Sequence, residues 1–530
     1  MAEVPQLQVP SGIQKVVQIQ FGGLAHYDAA KDGQIYDMQN ITGDNYPILQ
    51  PRKKRRLVSQ GQNETAIFAH EKLVEVKGTQ LLYDGVPVGT VTPGKKIFAS
   101  MGARILIWPD KAILNVKGNT PIFGKIEQTV HLTSITIKDG IYQEEEAAAN
   151  TLKATGVTWS NFFKEGDAVT IEGLTRVPAN NKTPIIREIA GDELRFYENV
   201  FKIPNDAASY TETGSITVSR KAPDLDDLCV LDNRAWGIKG DTIYASKLGD
   251  PANWNVYDGL STDSYFVEGG TPGEFTGCFA YLGYPCFFKE NEILKMYGTK
   301  PSNFQLQSSA ATGLKEGAED SLAVAGEMLF YLAREGFCIY TGGMPESAAL
   351  AFGQMRFTKA VAGATETKYY VSAEHLGNWM TYVYDTKAGQ WFIEDDLQAV
   401  QFANVKGKLY CLDAEGKLWI LNDEEGTEEA VESFVELADI YEQTMNRKYV
   451  SRIQVRIELE EGAELEIKIQ YDNQTAWKTV KKFDRAIARR SFWLPVRIRR
   501  CDRYRIRIEG IGGWKIHAMA REFYEGSEHH

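Results

Sequence analysis

The chain has 530 residues, 43% of them hydrophobic and 25% charged, with a net charge of −12. That length exceeds what one hydrophobic core serves, so roughly two to four domains are expected, and the composition excludes a disordered chain. No run approaches the roughly 18 uninterrupted apolar residues of a membrane helix, and the acid excess argues against a protein that clamps DNA by neutralising phosphates.

The start, Met1-Ala2-Glu3-Val4-Pro5-Gln6, lacks a basic region followed by an apolar core and does not read as a secretory leader. The expectation is a protein made and kept in a cytoplasm unless it leaves within a larger particle. Residues 1–61 carry many turn residues and few strand signals and read as an extended arm. Within it Val16-Val17-Gln18-Ile19-Gln20-Phe21 alternates like one strand, which could pair with the last blade of a ring and remove an open edge. The run Pro51-Arg52-Lys53-Lys54-Arg55-Arg56 is a basic cluster: either a solvated turn, or a contact with nucleic acid or an acidic partner.

From residue 62 the pattern is short apolar strands parted by Gly or charged turns. Thr65–Ala69, Lys72–Lys77, Gln80–Tyr83 and Val86–Val91 make one four-stranded blade, and Lys96–Ala99, Ala103–Trp108 and Ala112–Val116 begin a second. Between 121 and 222 the rhythm changes: Val130–Ile137 alternates strictly, and Ile185–Ile189 with Glu193–Tyr197 reads as a strand pair. A small inserted β-barrel or sandwich is expected there, with Glu144–Ala149 as the best helix candidate in the chain.

The blade phrase resumes at 223. Leu228–Leu231, turn Asp232-Asn233-Arg234, then Ala235–Ile238 returns as Phe279–Leu282, Gly283-Tyr284-Pro285, Cys286–Phe288. It returns again as Leu322–Val324, Gly326-Glu327, Met328–Leu332, and as Gln401–Val405, Lys406-Gly407-Lys408, Leu409–Leu412. The first three copies lie roughly 45 to 50 residues apart, the range of a four-stranded propeller blade. The fold class is therefore all-β: a β-propeller over 62–120 and 223–425, with about seven blades and six as the alternative. The acidic stretch Asn422–Glu429 marks a boundary, beyond which Arg452–Leu459 and Glu464–Tyr471 alternate cleanly, so 430–526 reads as a jelly-roll-like C-terminal β-sandwich.

Catalytic and metal chemistry find no constellation. Cys229, Cys278, Cys286, Cys338, Cys411 and Cys501 lie beside apolar strand runs without CxxC spacing, and the seven histidines are scattered. Asp232, Asp241, Asp250, Asp258 and Asp263 sit in turns, where Asp serves local hydrogen bonding, and no Gly-x-Ser-x-Gly or phosphate loop is present. No catalytic residue, metal or cofactor is expected, and the chain reads as a non-enzyme. The one unusual charge feature is basic. Arg485, Arg489, Arg490, Arg497, Arg499, Arg500, Arg503, Arg505 and Arg507 crowd the C-terminal domain. Arg497 and Arg499, like Arg505 and Arg507, are two apart and so share a strand face. That face is either balanced by nearby Glu, an interface to an acidic neighbour, or a phosphate contact.

The block Asp232-Asn233-Arg234-Ala235-Trp236-Gly237, with Thr242–Pro251 and Asn253-Trp254, resembles a family of tailed-bacteriophage virion proteins. Phe287–Asn291, Pro301–Phe304, Tyr46-Pro47 leading to Pro51-Arg52, Arg500–Tyr504 and Gly526-Ser527-Glu528 match it as well. The family is similar to the packaged-DNA stabilisation and tail-hub, or nozzle, proteins of short-tailed phages. The resemblance covers most of the chain except 121–222. It implies a structural head-completion and DNA-retention subunit of the virion tail, assembled in the host bacterial cytoplasm. Copies would form a ring (hexamer or dodecamer) below the portal and adaptor, contacting other tail proteins and passing double-stranded DNA without sequence specificity, with no membrane partner. Arg52, Lys53, Lys54, Arg55, Arg56, Arg497, Arg499, Arg505 and Arg507 would then be inter-subunit or adaptor contacts. The alternative is a tail-tip receptor or glycan-binding protein, with Trp254, Trp379, Trp391 and Trp477 as sugar-stacking rings.

Overall fold

Two-residue turns set the architecture. Asp232 and Asn233 both hold positive φ (49° and 57°), so Leu231 pairs directly with Arg234 across a tight hairpin. The same turn recurs at Asp84-Gly85, Leu282-Gly283, Gly326-Glu327, Leu376-Gly377 and Lys406-Gly407. Arg234, Tyr284, Pro285 and Lys408, expected in turns, are therefore strand residues. In a computed structural model describing residues 12–28, 30–61, 63–138, 150–197, 200–204, 207–496 and 499–525, these hairpins build seven four-stranded antiparallel sheets. The sheets run over 64–90, 97–125, 227–268, 277–310, 323–347, 360–393 and 399–420. The protein is a β-propeller with seven blades. The helix candidate Glu144–Ala149 lies outside the described residues.

The chain divides into two compact units, 74–319 and 1–73 with 320–530, the cut falling inside the first sheet. In the first unit, rings pack sheet on sheet: Trp108 meets Trp254 at 5.8 Å, and Trp236 meets Phe287 at 6.2 Å and Phe304 at 5.2 Å. The insert is a six-stranded sheet around Ile137, Leu152, Trp159, Ile171, Phe196 and Ile216. Its two edges meet, since the Val169 and Ile171 amides donate to Pro184 O (3.0 Å) and Lys182 O (2.8 Å), so the sheet closes into a small barrel.

In the second unit the fifth and sixth sheets stack through Phe330 on Tyr369 (4.7 Å) and Phe337 on Trp391 (5.2 Å). The seventh sheet takes its fourth strand, Arg56–Ser59, from the N-terminal arm, paired with Leu418–Ile420. The sequence expected a strand near Val16–Phe21 in this position. That strand, Gln14–Gln18, pairs instead with Trp514–Glu525. The C-terminal sandwich accordingly has two five-stranded sheets, each completed by the arm: Gln14–Gln18 joins Trp514–Glu525, Lys448–Leu459, Ile487–Leu494 and Arg500–Cys501, while Ile35–Gln39 joins Glu432–Leu437, Tyr504–Ile511, Glu464–Tyr471 and Lys478–Phe483. Val455, Ile457, Ile467, Ile469, Ile506 and Ile508 alternate inward to form its core.

Candidate assembly surfaces

The N-terminal basic cluster meets the acidic stretch that follows the last blade. Arg52 Nη1 donates to Glu428 Oε2 (2.7 Å), Nη2 to Asp395 Oδ2 (3.1 Å) and Nε to Asn40 Oδ1 (2.8 Å). Arg55 grips Asp395 through both Nη atoms (2.8 Å each) and Glu394 through Nη2 (2.7 Å). Arg56 reaches Asp423 (3.0 Å) and Glu425 (3.2 Å), and Lys53 reaches Glu424 (3.2 Å). The backbone follows suit: Thr427 and Glu428 amides donate to Arg55 O, and the Asp423 amide donates to the carbonyl of Lys54, whose side chain is exposed.

Burial sorts these contacts by weight. Arg52 is 8% exposed and Arg55 2%, so removing a partner would leave a charge stranded away from water. Lys53 and Glu424 are exposed and their pair contributes little. Burial alone would lower the Arg55 pKa, but Asp395 and Glu394 outweigh it and hold the guanidinium above its ordinary value. Burial likewise pushes the Asp395 carboxyl up, yet Arg55 and then Arg52 prevail and hold it below the usual carboxylate range. The sequence expectation for this cluster is contact with a neighbour; the structure shows Arg52, Arg55 and Arg56 paired within their own chain.

The C-terminal arginines fare similarly on one sheet. Arg505 binds Asp439 (2.6 Å) and Glu436 (2.9 Å), with its guanidinium 4.6 Å over Tyr36. Arg507 binds Glu509 (2.7 Å) and Glu436 (3.3 Å), 3.9 Å over Phe434. They do share a face, as expected, and the acids beside them on the same chain pair with both guanidiniums. Arg499 is exposed and lies 5.7 Å from the Tyr471 ring; Arg497 lies outside the described residues. A hollow of about 600 Å³ on this face is lined by Glu432, Glu466, Glu509, Lys482 and Arg507. The Thr479 hydroxyl lowers the Glu466 pKa; burial raises that of Glu509, but Lys468 and Arg507 outweigh it. Neither carboxyl carries the raised pKa of a glycosidase acid.

Two of the sequence phrases, around Arg234 and Asn253, fold into fasteners. Arg234 is 3% exposed and donates through Nη1 to the carbonyls of Ser246 (2.6 Å) and Asp263 (2.5 Å). Asn253 Nδ2 donates to Asp167 Oδ1 (2.9 Å) and its Oδ1 accepts from the Ala168 amide (3.3 Å), while Asp167 also holds Arg220, so the third sheet is tied to the barrel. Sequence reading missed Asp167 and Arg220; no local pattern marks a pair whose members are 53 residues apart. Of the four tryptophans read as sugar-stacking candidates, Trp254 and Trp391 are buried and Trp379 and Trp477 half-buried; the exposed one is Trp493. All six cysteines are buried free thiols, and burial pushes Cys286 and Cys501 up to about 12. Among the described residues no His, Cys, Asp and Glu group could hold a metal.

No protein-family profile matches the chain, and no curated protein does. Among solved structures it is similar to BamB from Moraxella catarrhalis, at 9% identity and a TM-score of 0.32 over 72% of this chain and 99% of that one. It is also similar to an exo-β-1,3-galactanase from Phanerochaete chrysosporium bound to galactose, at 10% identity and a TM-score of 0.20 over 56% and 94%. Likeness at this level carries nothing about activity or partners.

Proposed function

We propose that the chain is a non-catalytic building block of a tailed-phage virion. It would be a ring-forming tail hub or nozzle subunit below the portal and adaptor, lining the channel in which packaged DNA is retained and through which it leaves. The observation that carries the reading is the stitched arm. Residues 14–18, 35–39 and 56–59 add strands to three separate sheets, and Arg52 and Arg55 lock the arm under Glu394, Asp395 and Glu428. A subunit fastened this way resists being pulled open, as a conduit for pressurised DNA must. The family phrases support the reading because Arg234 and Asn253 serve packing, and the net charge of −12 suits a wall past which DNA slides without sticking.

Quantitative mass spectrometry and cryo-EM of purified particles test this. The expected result is six or twelve copies per particle in one ring at the portal-proximal tail. Absence of the chain from the particle would overturn the reading.

A further inference from the structure

The sandwich has a second outer face, formed by Gln14–Gln18, Trp514–Glu525, Lys448–Leu459 and Ile487–Leu494, and its charges are not balanced. Register aligns its side chains in rows. Val17 lies opposite Ala520, Ala520 opposite Gln454, and Gln454 opposite Trp493, giving one row across four strands. Val17 is 57% and Trp493 49% exposed. The next row runs from Ala518 to Arg456 to Ser491, where Arg456 Nε donates to Ser491 Oγ (3.2 Å). Arg452 lies 5.6 Å over the Trp493 ring.

Arg452, Arg456, Arg485, Arg489 and Arg490 are exposed and form no ion pair within 4 Å among the described residues, although Glu522 lies opposite Arg452 in the register and Arg490 turns to the edge, 5.5 Å over Phe492. Lys478 and Lys481 are exposed on the edge strand of the sandwich's other sheet, Lys481 5.8 Å from the ring of Phe483, which meets Phe492 at 5.2 Å. Lys478–Arg500 contains nine basic residues and one acidic, so with −12 overall the rest of the chain carries −20. A second copy therefore offers, over its remainder, a net charge opposite to that of this strip.

We infer that this face docks onto an acidic surface of a second copy of the chain, with Trp493 as its buried anchor. A desolvated Trp flanked by arginines, with small Ala518 and Ala520 beside it, is the composition of a protein interface centre. The face also holds Glu458, bonded to Lys515, and Glu522, beside Lys15, which would repel a polyphosphate and fit a protein partner. This rests on the proposed ring and names the surface that builds it.

Mass photometry and analytical ultracentrifugation of the full chain test it at 50 and 500 mM salt, for wild type, Trp493→Ala, and the triple variant Arg452→Glu/Arg489→Glu/Arg490→Glu. Wild type should assemble and weaken with salt, and each variant should raise the copy–copy dissociation constant at least ~30-fold, the size of a hot-spot loss, with an unchanged circular dichroism spectrum. Carbodiimide coupling of mixed light and heavy copies should join Lys478 or Lys481 of one to a carboxylate of another. Rings that form equally well in both variants overturn this inference and leave the ring reading standing. A wild type that never assembles overturns both. Loss of 30-base-pair DNA binding in the triple variant with assembly intact assigns the strip to nucleic acid and also overturns it.

Discussion

Two arginine clusters that look alike in the sequence behave oppositely in the fold. Arg52, Arg55 and Arg56 are drawn into a clamp by Glu394, Asp395, Asp423 and Glu428, more than 300 residues away. Arg485, Arg489 and Arg490 lie on and beside a sheet-edge strand and form no ion pair there, the nearby Glu458 being bonded to Lys515. The difference teaches that a basic run gains its meaning from what the chain's other end brings to it. The first cluster holds the protein together, and the second leaves its charge in solvent.

The largest effect should come from breaking the clamp. Arg55→Ala leaves Glu394 and Asp395 with Arg52 alone in a nearly dry site and should cost ~3 kcal/mol, read as a lower urea midpoint, whereas Arg489→Ala should stay within about 0.5 kcal/mol. Next comes the fastener outside both clusters. Asn253→Ala leaves Asp167 short of a donor and the Ala168 amide without its acceptor, and should cost ~1–3 kcal/mol, with the barrel losing amide-exchange protection first.

Acid should separate the clusters in a third way. The Asp395 pKa is depressed in the fold, so its contribution is complete above the unfolded value near 3.9 and is lost as pH falls through the lower folded value. Wild-type stability should therefore fall steeply below about pH 4, and Arg55→Met should flatten that limb; an equally steep limb in the variant would contradict the clamp's role. The smallest expected effect is on Trp493→Ala, whose melting temperature should match wild type, because the ring is half in water and supports no core.

Alternation and turn chemistry made most of the fold legible. Asp232-Asn233 and Lys406-Gly407 announce tight hairpins, and Arg452–Leu459 announces a strand with one face buried. The closing strand Arg56–Ser59 was not legible, because four residues at the end of a basic run carry no alternation and its partner lies over 350 residues on. The strand near Val16 was visible, but nothing local says which sheet it joins. The basic clusters were visible as charge, while their pairing was not: Glu394 and Asp395 sit just past a blade strand and give no sign of waiting for Arg55. Trp493 went unnoticed because its exposure depends on being on an edge strand of the sandwich.

The most direct test is a cryo-EM map of the assembled ring at side-chain resolution. The account predicts Trp493 and Arg489 buried against carboxylates of the adjacent copy, with Arg52 and Arg55 still held by Glu394, Asp395 and Glu428 of their own chain. A map with residues 52–56 reaching across to the neighbour, and Trp493 in solvent, would contradict it.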